Sequence, residues 1–143
     1  MKNRAIAMVL AMWPSLALAA DVPPALATLT ITVRHIIDAG GDLKIGVYDA
    51  ANYAMKGGIP VVRKSTHARG PTMSFTFDNI PPGTYAAKVL QDVNQNGNFD
   101  FGPKGMEPFG FSNDPVVTVG LPPFDEAKFT VTEGINTIEI TLR

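Results

Sequence analysis

The chain has 143 residues, 45% of them hydrophobic and 17% charged, with 13 glycines, 12 prolines and no cysteine. That length suits one domain around one core, and the apolar content excludes wholesale disorder. Twelve basic residues against 13 acidic ones leave a net charge of -1, so no basic excess announces nucleic acid, and without cysteine there is no disulfide, thiol nucleophile, iron–sulfur cluster or thiolate zinc site.

In chain order, the first segment reads as an export leader. Lys2 and Arg4 give a positive start, Ala5–Trp13 is a short apolar run, Pro14 breaks it, and Ala17-Leu18-Ala19 places small residues where a signal peptidase reads. The run is nine residues long, against roughly 20 for a membrane-spanning helix. The expected organisation is a signal peptide at 1–19, an N-terminal segment at 20–27 and one domain at 28–143, giving a periplasmic or secreted protein with no transmembrane segment after cleavage.

The remainder alternates apolar and polar residues with the period of half-buried strands. TLTITVR (28–34) puts Leu29, Ile31 and Val33 on one face, LKIGVY (43–48) does so with Leu43, Ile45 and Val47, and TMSFTF (72–77) with Met73, Phe75 and Phe77. Residues 84–91 offer Tyr85, Ala87 and Val89; VVTV (116–119), AKFTV (127–131) and INTIEITL (135–142) complete the set. Turn signals separate the runs at AGGD (39–42), NIPPGT (79–84) and EG (133–134), and DAANYAM (49–55) has room for one helical turn. The pattern predicts an all-β protein: a single antiparallel Greek-key β-sandwich of about seven strands.

Two connections are too long to be simple turns, and function is sought there. Residues 49–71 carry Lys56, Arg63, Lys64, His67 and Arg69, either a solvated loop or a contact for an anionic partner such as lipopolysaccharide or an acidic protein surface. Residues 92–100 read DVNQNGNFD. With Asp92 as position one, side-chain oxygens fall at one, three and five (Asp92, Asn94, Asn96), Gly97 at six, the Asn98 carbonyl at seven and Asp100 at nine, which is the spacing of a calcium loop. Pro103 stands where an EF-hand has its bidentate glutamate, and Glu107 is the nearest later carboxylate. The expected calcium ligands are Asp92, Asn94, Asn96, Asn98, Asp100 and Glu107, with affinity in the ~0.1–1 mM range of extracellular modules. The alternative is a metal-free turn in which Asp and Asn side chains bond their own backbone and Lys88 or Lys104 neutralises a carboxylate. Phe99, Phe101, Phe109 and Phe111 either anchor the loop or form an aromatic platform.

IPPGTYAAKVLQDVNQNGNFD (80–100), EPFGFSND (107–114), PPFDEAKF (122–129) and the closing ITLR, with IGVYD at 45–49, resemble the bacterial domain of unknown function 2141. The resemblance covers about residues 28–142. It implies exported bacterial proteins, an Ig-like or prealbumin-like sandwich and no assigned activity. Asp92, Asn94, Asn96, Gly97 and Asp100 match its Asp-x-Asn-x-Asn-Gly-x-x-Asp signature, and Glu107, Gly110, Phe111, Ser112 and Asn113 match its Glu-x-x-Gly-Phe-Ser-Asn stretch. Asp114 stands where a second Asn is expected.

Enzyme chemistry finds little support. The two histidines, His35 at a strand end and His67 in the basic loop, lack HExxH spacing, and no G-x-S-x-G motif is present. The function expected from the sequence is a non-catalytic exported module, stabilised by calcium in the 92–100 loop and binding an unknown protein or glycan partner, not nucleic acid, through its long loops. The alternative is a carbohydrate- or other small-ligand-binding module using Phe109, Phe111 and Asn113, with a hydrolase as a third reading.

Overall fold

The computed structural model describes Val22 and residues 25–102 and 105–143; the leader at 1–19, the opening of the 20–27 segment, and Pro103 and Lys104 lie outside the described residues. The elements are β1 (Ala27–Arg34), β2 (Asp42–Tyr48), α1 (Ala50–Tyr53), β3 (Val62–His67), β4 (Thr72–Ile80), β5 (Gly83–Asp92), β6 (Phe101–Gly102), β7 (Gly105–Met106), β8 (Phe109–Phe111), α2 (Phe124–Ala127), β9 (Lys128–Val131) and β10 (Gly134–Thr141). No helix among them is long and apolar enough to cross a membrane.

The protein is all-β, built from two main sheets. One has the order β10-β1-β4, the other β3-β2-β5-β8 with β9 also paired to β5, and β6 and β7 form a small ribbon. Six of the seven strands read from alternation are present, and each turns the expected apolar set inward: Leu29, Ile31 and Val33 meet Leu43, Ile45, Val47, Ala87, Val89 and Ile140 in one core. Each such buried side chain contributes about 1.5–3 kcal/mol, which is why the alternation carries so far.

Four features depart from the expectation of seven antiparallel strands. β1 and β10 pair in parallel, Ala27 with Gly134 through Arg34 with Thr141. VVTV (116–119) is irregular, because Asn113 and Asp114 adopt positive φ (64° and 45°) and turn the chain away from β8 before Pro115, which has no donor for a ladder. The basic connection at 49–71 contains, besides the helical turn expected at DAANYAM (α1, capped where the Asp49 carboxylate accepts from Asn52 N at 2.8 Å), the unexpected edge strand β3. The residues of β3 are mostly exposed, since an edge strand takes its stability from main-chain pairing with β2 and tolerates lysine and arginine. His35, read as a partly buried strand-end residue, follows β1 as expected but is exposed, with φ at 59°.

The two outer faces differ in kind. Outside β1 and β4 runs a polar ladder in which Thr28 donates to Asp78 at 3.0 Å, Thr30 meets Thr76 at 3.2 Å and Thr32 meets Ser74 at 3.0 Å. Outside the five-stranded sheet, α1 and α2 cover only one end, packing Tyr53 and Ala127 on Ala86 with Tyr48, Phe111 and Phe124 around them. The Tyr53 hydroxyl is fully enclosed there without a hydrogen-bond partner among the described residues, and burial pushes its phenol up to about 12. The rest of that face is left open.

Candidate functional site

The strand registers decide what the open face presents. Cross-strand partners share a face, so Ser65, Lys44, Leu90 and Phe109 form one row and Arg63, Gly46, Lys88 and Phe111 the next. Leu43, Ile45 and Val47 point the other way, into the core. Glycine at 46 keeps the middle of the face low: a Cβ there would sit 2.7 Å from the Tyr48 ring, which lies over it. The outcome is a groove of about 1400 Å³ that Phe99, Phe101 and Met106 also line, together with residues 117–121.

Its aromatic wall is a chain of rings. Phe99 meets Phe109 edge-to-face at 5.5 Å and Phe109 meets Phe111 at 5.7 Å, a geometry favoured by the ring quadrupoles. Phe101 and Val119, both in the lining, stay 80% and 91% exposed. The rings therefore anchor the irregular segment and also face the open space. The Lys88 ammonium lies 4.4 Å from the Tyr48 ring centre and 4.7 Å from that of Tyr53 and donates to the Tyr53 carbonyl. Burial pushes it below the usual lysine range.

The Asp/Asn loop adjoins the groove through Phe99, and its side chains interlock. Asp92, with no exposed surface, accepts from Lys44 Nζ at 2.5 Å, Gly97 N at 2.9 Å and Asn96 N at 3.2 Å. Burial by itself pushes the Asp92 carboxyl upward, but the Lys44 ammonium and the Gly97 and Asn96 amides together outweigh it and hold the group below the ordinary aspartate range. Asp100 Oδ2 accepts from the amides of Asn94 at 2.5 Å and Asn96 at 2.7 Å. Asn94 and Asn96 turn their own oxygens on Asn96 N and Asn98 N at 3.0 and 2.8 Å. Glu107 accepts from Val93 N at 2.8 Å and Asp100 N at 3.0 Å, clamping both ends of the loop.

The structure thus brings Asp92, Asn94, Asn96, Asp100 and Glu107 into one network, while Asn98 contributes its main chain. Lys44, absent from the sequence reading, is the cation that meets Asp92; Lys88, considered for that part, is spent on the tyrosines. As folded, the side chains of the donor set already have partners: Asp92, Asn94, Asn96 and Glu107 cap backbone N–H groups, Asp92 also holds Lys44, and Asp100 accepts from the Asn94 and Asn96 amides. No group of three or more His, Asp or Glu side chains placed to hold a metal occurs among the described residues.

Phe109 and Phe111 reach the groove, but Asn113 does not join them. Its amide donates to Lys128 O at 2.5 Å and Glu126 O at 3.3 Å. Ser112, buried, accepts from Ala87 N at 2.8 Å and donates to Ala127 O. Asp114 accepts from Thr141 N and Oγ1 at 2.9 and 3.0 Å. Three successive polar residues therefore tie β8 to β5, to the α2–β9 junction and to β10, which accounts for the FGFSND stretch as a structural latch. A family model described as an uncharacterised protein conserved in bacteria (DUF2141) matches residues 31–139, from inside β1 to inside β10.

The chain belongs to the DUF2141 family. No curated protein and no solved structure matches it. The DUF2141 match takes in the interlocked loop, the latch and every strand of the groove floor. The residues that sequence reasoning passed over are Lys44, Gly46 and Leu90, while Arg63 and Lys88 were singled out for an anionic partner and for a loop carboxylate but not placed beside each other. One signal was present: a glycine inside the strand pattern LKIGVY, a position that marks close approach of another group.

Proposed function

We propose that this DUF2141 protein is an exported, non-catalytic ligand-binding module whose site is the groove on the outer face of the five-stranded sheet. The observation that carries the reading is the asymmetry of the outer faces: threonines satisfy one another on one sheet, while the other leaves an aromatic-floored groove open between two long connections. Ligand sites are concave and mostly apolar with a few placed polar groups, commonly about 300–1,000 Å³, and this groove exceeds that range. Export is supported by the leader sequence at 1–19. The Ig-like or prealbumin-like, Greek-key description has support in the Tyr85 hydroxyl, which donates back to Pro81 O at 2.7 Å, the corner found in Ig-like sandwiches.

The test is a binding screen by amide NMR on protein purified after expression of the full chain in an exporting host. Its intact mass is expected to begin at Ala20. Oligosaccharides, short peptides and amphiphiles are titrated separately. At least one class is expected to shift Gly46, Leu90 and Gly110, and Phe109→Ala is expected to reduce that response about tenfold, as loss of a buried ring contact implies. Silence at those amides for every class overturns the reading.

A second reading is favoured by the interlocked loop: calcium in the 92–107 segment, held by Asp92, Asn94, Asn96, Asp100, Glu107 and the Asn98 carbonyl. Rotation of the Asn94 and Asn96 amides would turn oxygen toward the loop centre, and an entering cation would replace the Lys44 ammonium on Asp92. For a Kd near ~1 mM, 10 mM calcium stabilises the folded state by about 1.4 kcal/mol, a rise of roughly 3–6 °C in Tm. The rise is expected to be larger in Lys44→Met, where the competing cation is gone, and not to be reproduced by magnesium. No shift in either protein at 10 mM calcium removes the metal and leaves a hydrogen-bonded loop.

A further inference from the structure

The groove's charge selects among ligand classes. Among the described residues lining it, four are cationic (Lys44, Arg63, Lys64 and Lys88), and none is Asp, Glu, Asn or Gln. Lys44 is neutralised by Asp92, and Lys64 is turned to the sheet edge, donating to Thr76 O with its ammonium 5.0 Å from the Phe77 ring centre. Arg63 and Lys88 have no carboxylate within 4 Å among the described residues. They flank Gly46 in one cross-strand row, so two uncompensated cations stand on either side of the one floor position without a side chain.

In the next row, past Ser65 and the neutralised Lys44, the surface is apolar. Leu90 and Phe109 form the next positions of the floor, with Phe99, Met106 and Leu121 around them, each at least 40% exposed. A neutral glycan needs amide and carboxylate side chains that accept from its hydroxyls, and the lining has neither. A nucleotide or sugar phosphate would meet the cations but leave the long apolar stretch uncovered. The ligand that uses both is an anionic head on an extended hydrocarbon chain: charge-assisted hydrogen bonds for the head and burial of methylenes for the tail.

We infer that the groove binds a single-chain amphiphilic carboxylate, a free fatty-acid anion, with its head between Arg63 and Lys88 beside the Tyr48 ring that covers Gly46 and its chain along Leu90, Phe109 and Phe99. This deepens the proposed ligand-binding reading and rests on it. Lys88 gains a counter-ion for a half-buried ammonium that otherwise has only a carbonyl and two ring faces. Arg63, at the edge strand, is free to close on the second carboxylate oxygen, and its fork geometry suits the planar head.

The experiment is a titration of the protein purified from full-chain expression with acetate, octanoate, laurate and 1-octanol, each below its micelle concentration or solubility limit, followed by amide NMR. Laurate is expected to bind at least about tenfold more tightly than octanoate, since each buried methylene adds to affinity, and octanoate about tenfold more tightly than 1-octanol. Acetate is expected to produce no saturable shift. Lys88→Met and Arg63→Met, checked for retained spectral dispersion, are expected to bring octanoate down to the 1-octanol level while leaving 1-octanol unchanged. Equal binding of octanoate and 1-octanol, or no loss in both variants, overturns the head-group assignment and leaves the groove standing. A saccharide or peptide that shifts Gly46 and Leu90 where laurate does not overturns the ligand class alone. Silence toward every compound overturns the inference and the ligand-binding reading together. Shifts seen only with anionic vesicles overturn the free fatty acid in favour of a membrane surface.

Discussion

Asp92→Ala is expected to lower the unfolding free energy by about 3 kcal/mol, measured by urea unfolding near neutral pH. Removing one partner of a buried pair costs about 3–5 kcal/mol. The lower end applies because the Lys44 side chain is 35% exposed and regains water when its partner is lost. The Asn96 and Gly97 amides lose their acceptor as well, so the loop above the groove loosens at its first turn. Asp92→Asn keeps the shape and one acceptor oxygen and is expected to cost less. The pH dependence follows from the sign of the Asp92 shift. The folded carboxyl titrates below the unfolded one, so its contribution is fully present above the unfolded value of about 3.9 and is lost as pH falls through the folded value. The wild-type protein is therefore expected to lose stability below about pH 4 more steeply than Asp92→Asn. Parallel acid arms in the two proteins, or a loss under about 1 kcal/mol in Asp92→Ala, would mean that the Lys44–Asp92 pair does not hold the loop.

Gly110→Ala is expected to destabilise by a similar amount, about 3 kcal/mol, and to disturb the groove at the same time. Gly110 lies at the centre of β8 between Phe109 and Phe111, with its missing side chain directed at β10. An added Cβ would come within 2.8 Å of both Ile140 Cγ2 and the Thr141 carbonyl oxygen. Overpacking costs about 1–3 kcal/mol, and here the backbone on one side cannot move without breaking a joint. Phe109 N and Arg143 O, and Arg143 N and Phe109 O, pair at 3.3 and 3.0 Å, so β8 is stitched across the end of the sandwich to the chain's C-terminus. Gly46→Ala is the informative contrast. The atoms nearest its Cβ all belong to the Tyr48 ring, a side chain that can give where backbone cannot, so stability is expected to fall by less than about 1 kcal/mol while ligand affinity drops because the ring rises into the groove. Thermal unfolding of both variants, with the ligand titration repeated on Gly46→Ala, checks the pair. Equal destabilisation of the two would show that the β8–β10 joint adapts more easily than its geometry implies.

Alternation was enough to place β1, β2, β4, β5, β9 and β10 and to say which side of each faces the core, because period-two burial leaves its imprint residue by residue. It failed at β3 and at VVTV, in opposite directions, for one reason. A strand exists through the main chain it pairs with: VRKSTH has a partner edge in β2 and becomes a strand despite its charges, whereas VVTV follows a left-handed pair and Pro115 and has none. The parallel union of β1 with β10 was equally invisible, since alternation carries no information about direction.

The loop motif shows the same division. Spacing alone brought Asp92, Asn94, Asn96 and Asp100 together, because oxygen-bearing residues at alternate positions of a tight loop converge whatever they bind. It did not supply Lys44, which comes from another strand and meets Asp92 only when β2 pairs with β5. Arg63 and Lys88, 25 positions apart in the chain, became neighbours across Gly46 by the same register. The sequence by itself determined the fold class, the buried faces and the internal chemistry of the 92–107 segment, all of which depend on residues close together in the chain. Which cation faces Asp92, which face stays open and which charges stand beside the aromatic rings were decided only by the tertiary structure, because strand register sets contacts between residues that no local pattern connects.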